Sequence, residues 1–76
     1  MHDEPDLALA DMLKQLREDR EITQEQLAFE AGITASALSR IERGVNNPGW
    51  MTVRRLTEAL NVTLVQLAKA IESDVR

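Results

Sequence analysis

Apolar residues along the 76-residue chain recur at intervals of three and four and never alternate, which is the pattern of amphipathic helices and not of strands. Leu9, Leu13 and Leu16 mark a first helix from about Pro5 to Arg20. Pro5 suits a first helical turn, and Asp3, Glu4 and Asp6 complement the positive helix end. The run Thr23-Gln24-Glu25-Gln26 is a capping box that opens a second helix, with Leu27, Ala28 and Ala31 on its apolar side and Gly32 at its end. Thr34 caps a third helix, which runs to about Arg43 with Leu38 and Ile41 inward and is stopped by Gly44. A turn-rich connector, Val45-Asn46-Asn47-Pro48-Gly49, leads to a fourth helix over about Trp50 to Leu60. Val53, Leu56 and Leu60 face inward there, and Asn61 can take a left-handed cap. A second capping box, Thr63-Leu64-Val65-Gln66, opens a fifth helix that reaches about Asp74. No linker or low-complexity segment interrupts this series. The expectation is an all-α fold of five helices sharing one core, a single domain over residues 1–76 with its core at about 7–73.

Size limits what such a fold can do. A domain this small buries only roughly 60–65% of its unfolded surface and is often helped by a partner subunit. With no cysteine, disulfides and thiolate metal sites are excluded. The one histidine, His2, has no companion ligands, so no metal or cofactor is expected. No apolar run approaches the ~18 residues of a membrane span, and no signal-peptide pattern is present. An enzyme is not expected. The chain lacks a cysteine nucleophile, an internal histidine and a glycine-rich phosphate loop, and five short helices leave little room for a pocket or a small-molecule ligand.

Charge is unevenly spread. The net charge is −4, yet residues 31–55 carry Arg40, Arg43, Arg54 and Arg55 against Glu42 alone. The acidic excess lies in residues 1–30, with nine acidic and three basic side chains. Phosphate binding needs a local positive patch and not a basic total. Chance clustering on a solvated surface is the alternative.

The basic segment overlaps the most informative pattern, Thr23 to Gly44. Two short helices flank the turn Gly32-Ile33-Thr34. Ala28, four residues before Gly32, is small enough for the two helices to approach closely. Ile33 plugs the turn, and Leu38 and Ile41 anchor the second helix. This is a helix-turn-helix arrangement, which leaves one face of its second helix free to enter a major groove.

The chain resembles the phage-repressor and Cro-like helix-turn-helix family, often called XRE-like. The matching runs are Leu13-Lys14-Gln15-Leu16-Arg17, Ile22-Thr23-Gln24-Glu25-Gln26-Leu27-Ala28, Ala31-Gly32-Ile33, Leu38-Ser39-Arg40-Ile41-Glu42-Arg43-Gly44, Asn47-Pro48 and Leu56-Thr57-Glu58-Ala59-Leu60. Each is weak alone. In this order and spacing, over about residues 9–71, they are specific. The resemblance implies a lambda-repressor-like five-helix domain that binds double-stranded DNA as a transcriptional regulator, in the cytoplasm and on the nucleoid when bound. It implies that Ala35, Ser36, Ser39 and Arg40 face the bases, and that Gln24, Arg43, Asn46 and Asn47 lie along the backbone. Arg40 is the one long donor on the reading face, and its fork matches O6 and N7 of guanine. It is otherwise a phosphate or surface arginine. Ser36 can serve a base or a phosphate, and Ala35 offers only a methyl, so shape readout gains weight. Arg17 and Glu42 match family positions that form an ion pair under the reading helix, the alternative being that Arg17 points to solvent or phosphate. Two residues depart from the pattern. Glu21 stands where many relatives place glycine, and Val65 where relatives often carry an acidic residue.

Helix 5 is more apolar than one buried face requires. Placed at about 100° per residue, Leu64, Leu67, Ala68, Ile71 and Val75 form one stripe, extended by Val65 and Ala70 on its flanks. The excess points to a homodimer through Leu64, Val65, Ala68 and Ile71, reading a pseudo-palindrome. The alternative is a monomer with a well-buried helix. Elsewhere, Trp50 is expected to be partly buried against helix 3, Phe29 to lie on the outer face of helix 2, and Met12 and Met51 to fill the core or its rim. The rival to DNA binding is a protein-interaction module that has kept the fold, a reading to which the acidic total gives weight.

Overall fold

The computed structural model describes residues 6–74 as five α-helices with no strand among them: α1 Leu7–Asp19, α2 Gln24–Ala31, α3 Ala35–Glu42, α4 Trp50–Leu60 and α5 Leu64–Asp74. α2, α3 and α5 each start directly after their predicted caps. Thr23 and Gln26 close the first capping box, Gln26 N–H donating to Thr23 Oγ1 at 3.0 Å and Thr23 N–H to Gln26 Oε1 at 2.8 Å. Thr63 and Gln66 repeat this geometry at the head of α5, and Thr34 Oγ1 accepts from Ala37 N–H at 2.9 Å.

Three boundaries differ from expectation, one of them the end of α1, which stops at Asp19 with Arg20 as its C-cap. α1 opens at Leu7, because Asp6 is its N-cap and accepts the Leu9 N–H at 3.1 Å. Pro5, Asp3 and Glu4, assigned to that first turn, lie outside the described residues, as does Val75 of the helix 5 stripe. α3 stops at Glu42, with Arg43 as its C-cap.

Four helices end alike. After α1, α2, α3 and α4 the chain takes a left-handed residue, Glu21, Gly32, Gly44 and Asn61 in turn. In each case the next residue, Ile22, Ile33, Val45 or Val62, returns its N–H to a carbonyl five residues back, at 3.0–3.5 Å. This closure satisfies carbonyls that would otherwise be orphaned, and at Ile22, Ile33 and Val62 it turns an apolar side chain back onto the core, whereas Val45 stays exposed. Glycine enters the left-handed region freely and asparagine at small cost, but Glu21, at φ 59°, does so against its Cβ.

α2 packs between α3 and α4, while α1 lies against α3 and α5. The fully buried side chains are leucines from four helices, Leu13, Leu27, Leu38, Leu56 and Leu60, with Leu67 closing the core from α5. Ala28 is also buried, which lets α2 and α3 meet closely. The effect is to hold α3 by Leu38 and Ile41 on one side and leave its other side open.

Candidate DNA interface

The open side of α3 is built by its own periodicity. Leu38, Ile41 and Glu42 are buried, while Ser36 and Arg40, one turn apart, are exposed and adjacent. Arg40 Nη1 lies 3.4 Å from Ser36 Oγ, a long contact that leaves most of the guanidinium's donors available. Ala35 and Ser39 are half-buried at the margins of the same face. Arg43 is exposed beyond the last turn, and its Nε donates to the Ser39 carbonyl at 3.3 Å, where a cation also complements the negative helix end. Asn46 and Asn47 are exposed in the loop that follows. Asn47 has a structural task as well, since its Oδ1 accepts the Asp6 N–H at 2.6 Å and ties the α3–α4 loop to the head of α1. Between Arg40, this loop and Thr52 of α4 lies an open recess of about 200 Å³.

Under this face Arg17 and Glu42 meet. Arg17 Nε donates to Glu42 Oε2 at 2.8 Å and Nη2 to Oε1 at 3.0 Å, while Nη1 donates to the Ile22 carbonyl at 2.9 Å. The Glu42 side chain is 1% exposed and that of Arg17 12%. The hydrogen bonds to Glu42 hold the Arg17 guanidinium above its ordinary pKa against the opposing effect of burial. A raised pKa keeps the base charged, so the guanidinium's side of the pair is in place throughout the neutral range and titrates away only in strong alkali.

Gln24, expected along the DNA backbone, sits half-buried at the first turn of α2 and donates its Nε2 to Glu42 Oε1 at 2.9 Å. No feature of the sequence signalled that bond, because it joins residues eighteen apart in the chain.

Trp50 corrects an expectation. Its side chain is not buried against α3 but 64% exposed. It lies on the α4 stripe of Val53 and Thr57, where burial declines from Thr57 through half-buried Val53 to the helix start, beyond the end of the core. There it lines an almost wholly apolar groove of about 370 Å³ with Val53 and with Leu64, Val65, Ala68 and Ile71 of α5. Ala68, placed on the apolar stripe and assigned to the dimer contact, is exposed, and the inner face of α5 is carried by Leu67 with half-buried Ala70 and Ile71. The spacing of Trp50 and Val53 was the available signal for the groove. Phe29 is 87% exposed on the outer face of α2, Met12 is buried, and Met51 is exposed at the rim. Among the described residues, no helix is long and apolar enough to cross a membrane.

A helix held by its apolar side under an exposed Ser–Arg face, joined by a tight turn to a preceding helix, defines a DNA-binding helix-turn-helix domain of transcription regulators, of the phage-repressor and Cro-like type. The chain belongs to the helix-turn-helix domain family, which it matches over residues 8–70. It is 41% identical over 58 residues to the HTH-type transcriptional repressor RghR of Bacillus subtilis, covering 72% of this chain and 42% of that protein. It is 38% identical over 52 residues to the uncharacterized HTH-type transcriptional regulator y4dJ of Sinorhizobium fredii, covering 68% of each. Among solved structures, the restriction-modification controller protein C.AhdI from Aeromonas hydrophila superposes with a TM-score of 0.77 at 30% identity, over 80% of this chain and 92% of that one. The wild-type controller C.Esp1396I superposes at 0.84 with 22% identity over 88% and 87%, a likeness of fold. The chain thus spans less than half of RghR but nearly the whole of these controller structures.

Proposed function

We propose that the chain is a sequence-specific double-stranded DNA-binding transcriptional regulator that reads its operator through α3 in the major groove and works as a homodimer. The observation that carries this reading is the exposed Ser36–Arg40 face on a helix whose other side is locked by Leu38 and Ile41. In this reading Arg40, Ser36, Ala35 and Ser39 meet base edges. Arg43, Asn46, Asn47 and Gln24 meet the backbone, where the first amides of α2 supply further donors.

The homodimer rests on the α4–α5 groove. Trp50 and Val65 are both more than three-fifths exposed beside exposed Ala68, an apolar surface that water covers poorly. A second copy presenting the same surface across a two-fold axis would cover it, through Leu64, Val65, Ala68 and Ile71. One short reading helix recognises few base pairs, so two copies on a pseudo-palindrome gain both affinity and specificity. Half-sites would then lie roughly 34–36 Å apart.

Selection of bound sequences from a random duplex pool tests the proposal. A consensus with two-fold symmetry is expected. Failure to enrich any sequence, with no gel shift on random DNA, would favour the protein-interaction module that the net charge of −4 also allows.

A further inference from the structure

The carboxylate of Glu42 serves two elements at once. Its Oε2 takes Arg17 Nε, and its Oε1 takes both Arg17 Nη2 at 3.0 Å and Gln24 Nε2 at 2.9 Å. The carboxylate lies beneath α3, and Gln24 is the first residue of α2. An amide has one donor end and one acceptor end, and an anionic acceptor settles which end turns inward. Gln24 therefore buries its nitrogen against Glu42 and keeps its carbonyl Oε1 outward. Among the described residues that oxygen makes no hydrogen bond, and no side-chain polar atom of a part-buried residue there is both buried and unpaired, so Oε1 reaches solvent.

We propose that Glu42 is a positioning residue for DNA recognition: by anchoring the Gln24 nitrogen, it presets the amide so that the carbonyl oxygen and second N–H face the DNA as one fixed edge. This rests on the DNA-binding reading above. A phosphate oxygen can accept only from that N–H or from the main-chain amides at the start of α2. The carbonyl can accept from a base amino group or an ordered water, and has no direct use for phosphate. Arg17 belongs to the same device, since its bidentate grip holds the carboxylate still. The gain is preorganisation. Immobilising a side chain of this kind on binding costs roughly 0.5–1.5 kcal/mol, so an anchored Gln24 is worth about 2- to 12-fold in affinity.

The test needs variants that fold without the carboxylate. Replacing a buried ion pair by apolar residues of similar volume is often neutral for stability, so Arg17→Met/Glu42→Leu releases Gln24 without leaving an unpaired charge. Circular dichroism establishes that it is folded before binding is measured on the selected duplex. Its affinity should fall about 2- to 12-fold, and adding Gln24→Ala should cost less there than it costs the wild-type chain. Equal costs of Gln24→Ala in both backgrounds would show that Glu42 only stabilises the fold and would overturn the proposal. A second measurement needs neither variant nor DNA. In the free wild-type protein, one Gln24 side-chain amide proton should resonate downfield of the exposed glutamines and exchange slowly. An exposed-type signal would end the proposal even if DNA binding stood, whereas an anchored amide in a chain that binds no duplex would sink the DNA-binding reading and leave Glu42 a purely structural anchor, overturning the proposal by a different route.

Discussion

Arg17 of α1 and Glu42 of α3 lie twenty-five residues apart in sequence, yet the guanidinium and carboxylate face each other squarely, with two parallel hydrogen bonds of 2.8 and 3.0 Å. The geometry joins the helix that supports the core to the helix proposed to read DNA. Removing one partner leaves the other charge buried, which typically costs roughly 3–5 kcal/mol, against a total of about 5–15 kcal/mol for a whole domain. Arg17→Met alone and Glu42→Leu alone should therefore each lower the urea midpoint severely, and the double variant should recover most of the loss. Strictly additive losses in this cycle would show that the pair contributes no coupling.

A second prediction concerns Glu21, the one left-handed residue among the four helix ends that is neither glycine nor asparagine. A side chain in that conformation costs about 1–2 kcal/mol, partly offset because glycine loses more freedom on folding. Glu21→Gly should therefore stabilise the domain by about 0.5–1 kcal/mol, which is roughly 2–8 °C in Tm for a chain of this size. The companion substitution Gly32→Ala, at φ 75° with open space around the added Cβ, should destabilise by a similar amount through backbone strain alone. A thermal melt in which Glu21→Gly is neutral or harmful would mean that its carboxylate makes a compensating interaction.

These two cases show what was legible in the chain. Helix ends are written locally, in a cap and the residues three or four positions away, so Thr23–Gln26, Thr63–Gln66 and the left-handed Asn61 could be read directly. Burial of Leu27, Leu38 and Leu56 follows from helical period. Contacts between elements distant in sequence were not legible from the residues themselves, and the Arg17–Glu42 pair was reached only through the family resemblance. The Gln24–Glu42 bond and the Asp6–Asn47 tie join side chains that no period relates. The exposure of Trp50 depends on where the neighbouring helices stop, which a periodic pattern does not encode.

Recognition gives a third prediction. Arg40 is exposed on the proposed reading face, and among the described residues only the long Ser36 contact engages its side chain. Arg40→Ala should cost about 1–3 kcal/mol on the selected site and relax preference at one base pair per half-site. Titrations on the selected site and on a scrambled duplex separate the roles, because equal losses on both would make Arg40 a phosphate contact.

Salt supplies a fourth. If Arg43 and Arg54 or Arg55 of α4, all exposed, neutralise phosphates, binding should weaken steeply with ionic strength. Arg43→Ala should flatten the slope of log affinity against log salt by up to about one unit while leaving the selected consensus unchanged. A shifted consensus would assign Arg43 to base reading instead.

The last prediction concerns the groove between α4 and α5. Val65 is 62% exposed at its edge and Trp50 64%, so two of the apolar side chains that line it face solvent in a single copy. Burying them across a two-fold axis removes that surface from water at about 25 cal/mol per Å². A carboxylate at position 65 would oppose its own copy's symmetry mate or lie buried without a partner, and either penalty falls on the dimer alone. Val65 is exposed and supports no core contact in the single chain, so Val65→Glu should fold normally. Analytical ultracentrifugation at micromolar concentration should find a dimer for the wild-type chain and a monomer for the variant. The variant should also lose the advantage of a palindrome over an isolated half-site. A wild-type monomer that binds one half-site as tightly as two would refute the dimer and leave the apolar groove to some other occupant.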